Sequence, residues 1–326
     1  ASTNLKAVGQ ALAEKGLIPA AAVNLLPNAN VSRTGYNEVD LTNNKASNTK
    51  IDYSLHLRPF GDEKLEVIWQ SKFGFGNAVY QGANRYYLNN FYMSQHKLEF
   101  KGKNFFVRGY TTTEDGGESY DMLFTGLNIN RKWKDDTTWF GQYAGTFVQA
   151  TLAGQTPENA HIISRGVADK GRFLPGTPEF QGAFNQVIAD PDVLTGSKLV
   201  DNSRVNHSDA NYNFRDIIKY GEIQVGGSYR QYQLNSHGRI YTDDNGPINY
   251  NEYGVYAQLQ KKYLQDRLKF TGSVRYDKSK NFDGSFSPRV SLVYSGGEKK
   301  QHNFRGSYQT GFRNPTTQDQ YIGFNV

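Results

Sequence analysis

The sequence predicts an all-β protein, an antiparallel up-and-down sheet of the transmembrane β-barrel type with a helical insertion. Three observations carry this. Apolar and polar residues alternate over long stretches. The polar positions hold Arg, Lys, Gln and Asn, which seek water rather than a protein core. No run of about 18 apolar residues supplies a membrane helix, so any spanning is left to strands.

The pattern is plainest over 268–315. Leu268, Phe270, Val274 and Tyr276 alternate with Lys269, Thr271, Ser273 and Arg275. Val290, Leu292 and Tyr294 repeat it against Arg289 and Ser291, and Phe304 and Tyr308 against Asn303, Arg305, Ser307 and Gln309. Successive strand side chains point to opposite faces, so each strand has one greasy and one wet side.

Composition agrees. The chain has 326 residues, 37% of them hydrophobic, with a mean hydropathy of −0.68. That is low for a soluble protein of this size but suits a wall in which every second strand residue meets lipid. Aromatics reach 14%, mostly Tyr and Phe, as interfacial girdles require. The absence of Cys excludes a disulfide scaffold, a zinc ribbon and a thiol nucleophile. The net charge of +6 is spread along the strands without a dense basic run, which argues against nucleic-acid binding. The chain opens ASTNLKA without Met, so a leader has been removed or the chain belongs to something longer.

In chain order, 4–26 has helical spacing with Gly16 as a stop, and 27–49 reads as irregular surface chain. Strands are expected from Lys50, where Ile51, Tyr53, Leu55 and Leu57 alternate with polar residues, and again from Leu65. Residues 78–88 read as a loop, followed by strands over 89–100 and 105–113. The stretch 114–207 breaks the pattern. Thr137–Trp139 caps one helix, and Thr156-Pro157 and Thr177-Pro178 open two more. These helices read as too little for a core of their own, and 120–133 is undecided between strand and helix. Strands resume at 209–219, 222–235 and 250–263, for about ten strands from 50 to 312. This divides the chain into an extracellular loop with a short helix (1–49), barrel strands (50–113), a long, partly helical extracellular insertion (114–207) and further barrel strands and loops (208–326). Short connections (GDEK, KGKN, IIKYG, LQD, GGEKKQ) alternate with long ones (78–88, 114–207, 236–249, 279–285). Outer-membrane barrels keep short turns on the periplasmic side, which places 114–207 outside the cell.

The segments RYDKSKNFDG, FSPRVSLVY and NFRGSYQTGFRNPTTQDQYIGF resemble the barrel of TonB-dependent outer-membrane receptors, in particular the long versions of Bacteroidota-type bacteria. GFRNPTTQDQY is the most specific of these. The resemblance implies part of a 22-stranded barrel in the bacterial outer membrane, with a plug domain elsewhere. It implies active import of a scarce nutrient such as a ferric siderophore, haem, cobalamin or glycan. Energy would come from the TonB–ExbB–ExbD complex through the plug and an N-terminal segment, and a surface lipoprotein lid is a further partner of this lineage. Val326 is not the terminal aromatic of a complete barrel, which also suggests a truncated one. Substrate in that family meets lumen-facing residues near the outer rim and the outer loops. Parity and height put Arg230, Tyr232, His237, Arg239, Gln309 and Arg313 there, where cations and rings suit anionic metal chelates or sugars. The plainer alternative is that they hydrate a lumen or pair with the plug.

Other chemistry is sparse. None of HExxH, GxSxG or GxxxxGK[ST] occurs, and no two of the six His have helical i, i+4 spacing, so no enzyme is indicated. No cofactor is expected, apart from a calcium reading of Tyr241–Glu252. There Asp243, Asn245, Gly246 and Glu252 fall at the third, fifth, sixth and twelfth positions of a calcium loop. Tyr at the first position and strands on both sides favour a plain turn. A passive porin, a surface adhesin and a soluble glycan-binding sandwich are the rival functions.

Overall fold

A computed structural model describes residues 1–82 and 84–323 of the chain. Val326 and Ala83 lie outside the described residues, so the reading built on a terminal aromatic has no counterpart here.

The N-terminal segment holds β1 (Ser2–Asn4), α1 (Leu5–Glu14), β2 (Asn30–Ser32) and α2 (Glu38–Leu41). The wall begins with β3 (Ser47–Leu57), β4 (Glu66–Gln81), β5 (Arg85–Lys101) and β6 (Phe105–Asp115). The insertion follows as β7 (Tyr120–Asp121), α3 (Met122–Trp133), α4 (Asp136–Leu152), α5 (Pro157–Ala168) and α6 (Pro178–Ala189). The wall resumes in β8 (Arg204–Asn213), β9 (Glu222–Leu234), β10 (Ile248–Tyr263), β11 (Leu268–Ser279), β12 (Ser285–Gly296) and β13 (His302–Gln309), before α7 (Thr317–Tyr321).

Ten long strands form one antiparallel sheet in the order β13-β12-β11-β10-β9-β8-β6-β5-β4-β3, with β7 pairing on β5. The sheet does not close among the described residues. β3 and β13 each keep one unpaired edge and are exposed along their whole lengths. Unpaired edges of this length are templates for further strands.

Register makes the greasy face continuous. Leu55 sits opposite Trp69 and Trp69 opposite Leu98. Further along, Ala210 lies opposite Gly227, Gly227 opposite Val255, Val255 opposite Tyr276 and Tyr276 opposite Phe286. Leu55, Trp69, Val255, Leu292 and Tyr308 are all exposed on it. An apolar surface running across ten strands is far beyond what a water-soluble face carries.

Several expectations change. The 78–88 stretch is two strand ends rather than a loop. Pairing continues past a bulge between Gly76 and Ala78, through Val79 opposite Tyr87, to Gln81 opposite Arg85. Alternation is lost there because the helical insertion covers one side, burying Tyr87 against it, while Tyr80 stays exposed. The 279–285 connection also shrinks to 280–284, so the long connections are 116–203 and 235–247. The strand read at 209–219 is β8, ending at Asn213. Beyond it Phe214–Asp216 turns as a short 3-10 helix, with the Asn213 side chain accepting from Arg215 N. In 120–133, two strand residues give way to helix at Asp121, whose carboxylate caps Leu123 and Phe124 N–H.

Thr156 and Thr177 cap α5 and α6 with Pro at the first turn, as read from the sequence. α4 is capped by Asp135 rather than by the Thr137–Trp139 segment, because the Asp135 carboxylate takes both Thr138 N–H and its hydroxyl. The helices also do not lack a core. Trp139, Tyr143 and Phe147 of α4 bury against Leu5, Leu26 and Val31 of the N-terminal segment. A second cluster joins Ile129, Phe180 and Val187 to Leu41 and to Tyr87 of the wall. The core was invisible in the sequence because 1–41 and 122–189 each supply half of it. Arg33 stitches the halves together: it donates to Asp136 at 2.7 Å and lies near the rings of Trp133 and Trp139. These elements form a helical cap at one end of the wall.

Candidate ligand-recognition site

The wet face carries the site. On β9, Ser228, Arg230 and Tyr232 share this face because they are two residues apart. Across the ladder His207 stands opposite Arg230, Arg230 opposite Glu252, and Gly254 opposite Asp277. These side chains form a chain of contacts along the wall. Arg108 grips Asp209 with two hydrogen bonds of 2.7 and 3.0 Å, and His207 lies 3.4 Å from the same carboxylate. Arg230 reaches His207 at 3.4 Å, the Tyr232 hydroxyl at 3.1 Å and Glu252 at 3.6 Å. Arg275 binds Asp277 through both carboxylate oxygens and donates to Ser228 Oγ at 3.2 Å. Gly254 makes room for that pair, since a Cβ there would collide with Asp277 and Arg275.

A strap crosses this face. After β13 the chain runs from Thr310 to Gly323 and is tied to the 235–247 loop. Thr242 N donates to Tyr321 O and Gly323 N to Ile240 O, each at 2.9 Å. Asn281 donates to the Tyr321 hydroxyl at 2.7 Å, and Asn314 to Ser279 Oγ at 3.1 Å. Between strap and wall lies a cavity of about 380 Å³, bounded by Arg230, Tyr232, Glu252, Arg275 and Asp277 below and by Phe312, Asn314 and Gln320 above. Tyr250 also lines it. Its ring packs near Tyr232 and Tyr321, and its hydroxyl is buried without a hydrogen-bond partner among the described residues. An unmade buried hydrogen bond costs about 1–3 kcal/mol. Arg230 and Arg275 face Glu252 and Asp277 here, so the cavity is polar and its charges nearly balance.

The strap's anchor is built around Asp243. Its carboxylate accepts from Ser236 Oγ at 2.6 Å and from the backbone N–H groups of Ser236, His237 and Gly238 at 2.5, 3.0 and 2.8 Å. Burial opposes its charge, but these hydrogen bonds outweigh it and hold the carboxyl below the usual range. Burial, with Asp201, Glu114 and Asp243 nearby, pushes the Tyr241 hydroxyl up, so it stays neutral.

Of the residues expected from the sequence, Arg230 and Tyr232 line the cavity. His237 is exposed in the Asp243 turn with φ +53°, and Arg239 follows in the same turn. Gln309 ends β13 opposite Arg289, and Arg313 is exposed on the strap. Neither they nor His237 and Arg239 line the cavity. In the calcium segment, Asp243 is engaged with Ser236–Gly238, Glu252 faces Arg230, and Asn245 is exposed. Among the described residues no group of three or more His, Asp or Glu is placed to hold a metal ion. His207, Tyr250, Arg275 and Asp277 were missed as site residues. The signal available for Arg275 and Asp277 was parity with Arg230, which needs the register between strands.

Among the solved structures similar to the chain are two described as the FrpB iron transporter from Neisseria meningitidis. The F3-3 variant shares 12% identity over 83% of this chain and 37% of its own, with a TM-score of 0.43. The F5-1 variant apoprotein shares 13% over 83% and 36%, with a TM-score of 0.45. The chain thus spans little more than a third of these proteins. No curated protein matches it. The family described as TonB dependent receptor-like, beta-barrel, matches residues 24–326, nearly the whole sequence, and the chain belongs to that family.

Proposed function

We propose that this chain is part of a closed barrel of the 22-stranded type in the bacterial outer membrane, and that the complete protein actively imports a scarce nutrient. The helical cap faces outward, and the cavity under the strap is where the nutrient is recognised. Energy reaches the barrel from the TonB–ExbB–ExbD complex through a plug domain. The observation that carries this is the strapped cavity on the wet face, where Arg230, Arg275 and the unpartnered Tyr250 hydroxyl converge. Such a set supplies charge-assisted hydrogen bonds and ring surface to a polar ligand, an anionic metal chelate or a short glycan. The unpaired edges of β3 and β13 support further strands on both sides.

The test is uptake by cells carrying the complete gene, offered labelled ferric chelates, haem, cobalamin and oligosaccharides with TonB present or deleted. The proposal expects saturable uptake of one class, lost without TonB. Uptake of unrelated small solutes that ignores TonB would make the protein a passive channel.

A further inference from the structure

The outer face carries a feature that ligand import does not use. Where β6, β8, β9 and β10 adjoin, the greasy wall is hollowed into a groove of about 560 Å³. Its floor is the cross-strand pair Ala210 and Gly227, and its sides are Phe105, Val107, Tyr212, Val225 and Val255. Here a methyl group stands opposite a hydrogen, with larger residues around them. A Cβ on Gly227 would come within 3.2 Å of Gly254 O.

Directly below, on the same face of β10, is Lys261. It follows Val255 by six residues, an even number, so both point outward. Its ammonium lies 3.2 Å from the centre of the Tyr220 ring and 5.4 Å from that of Tyr263. Tyr220 and Tyr263 are exposed, and Ile217 and Leu264 beside them are exposed too. Lys261 has no carboxylate within ion-pair distance among the described residues, whereas its neighbour Lys262, on the wet face, pairs with Asp266 at 3.8 Å. A cation left without a counter-ion at an aromatic belt is the arrangement that receives a lipid phosphate.

The spacing fits one leaflet. Six residues of strand rise about 20 Å, or about 15 Å along the membrane normal for a strand tilted by roughly 40°. Half of the ~30 Å hydrocarbon core is also about 15 Å. Lys261 at headgroup depth therefore puts the hollow at the level of the acyl-chain ends.

We propose that this face holds a resident anionic phospholipid, its phosphate on Lys261 between Tyr220 and Tyr263 and one acyl chain lying up the wall into the Ala210–Gly227 groove. The leaflet is the one at the short-turn end of the wall, opposite the helical cap.

The experiment is native mass spectrometry of the complete receptor released from detergent with added phosphatidylglycerol or phosphatidylcholine. The expected result is phosphatidylglycerol retained at about one per protein while phosphatidylcholine is stripped. Lys261→Gln should lower the retained phosphatidylglycerol about fivefold. Lys262→Gln, on the other face at the same height, should leave it unchanged. Ala210→Leu, which fills the groove, should also lower the retained phosphatidylglycerol. The Lys261 and Lys262 comparison stands by itself if the Ala210 variant fails to fold. Equal effects of the two lysine variants, or no lipid retained above the detergent background, would overturn the proposal.

Discussion

Asp243 takes both the backbone N–H and the hydroxyl of Ser236, at 2.5 and 2.6 Å, and thereby closes the turn from which the strap hangs. Ser236 Oγ passes the effect on by accepting from Ile240 N and Tyr241 N. Ile240 and Thr242 then hold Gly323 and Tyr321 of the strap. Removing the carboxylate leaves buried N–H groups unmet, at a cost of roughly 2–3 kcal/mol to the turn. Asp243→Ala should therefore speed amide exchange at Thr242 and Gly323 by about tenfold or more, with the lower wall unchanged. Unaltered exchange there would show that the strap is held by something else.

The cap should be acid-labile in a definable way. Burial opposes ionisation of Asp136, but Arg33 and Arg131 outweigh it and hold its carboxyl below the usual range. A carboxylate depressed on folding stabilises fully above its unfolded value, about 3.9, and the gain is lost as pH falls through the lower folded value. Protection of the α3 and α4 amides, taken relative to the intrinsic exchange rate at each pH, should fall below about pH 4 in the natural protein, and Asp136→Asn should remove that step. The variant should also lose on the order of 2 kcal/mol at neutral pH, because the Arg33 side chain is only 2% exposed and is left without its anion. Identical acid profiles would place the sensitive group elsewhere.

Gly254 is where the wall yields space to the site. Gly254→Val forces Arg275 and Asp277 off the wall and into the cavity. The expectation is a folded barrel, judged by gel mobility before and after heating, with ligand affinity lowered at least tenfold. Wild-type affinity in a folded Gly254→Val protein would remove the Arg275–Asp277 pair from the recognition surface.

Much of this was legible in the strand pattern and little of it in the site. Leu268 to Tyr276 alternates because one face of the wall is greasy and the other wet, and a period of two needs no knowledge of partners. Tyr86 and Tyr87 break the pattern because the cap covers the wall there, a fact held by residues far away in sequence. Parity puts Arg230 and Tyr232 on the wet face, where both line the cavity. Glu252 needed its register with Arg230, and Asn314 needed the path of a strap that no local periodicity encodes. Asp243 falls at a calcium-loop position by spacing, beside the favoured plain turn, and its carboxylate serves three backbone N–H groups and a hydroxyl of its own loop.

The most direct test of the central claim is a binding titration of the complete receptor with the nutrient identified by uptake, comparing the natural protein with Arg230→Ala plus Tyr232→Ala. Arg230 and Tyr232 are in contact at 3.1 Å, so the two are removed together. The account predicts a loss of affinity of at least about a hundredfold, as expected when a charge-assisted contact and a ring surface both go, with the barrel still folded. Unchanged affinity in a folded double variant would contradict it and move recognition off this face of the wall.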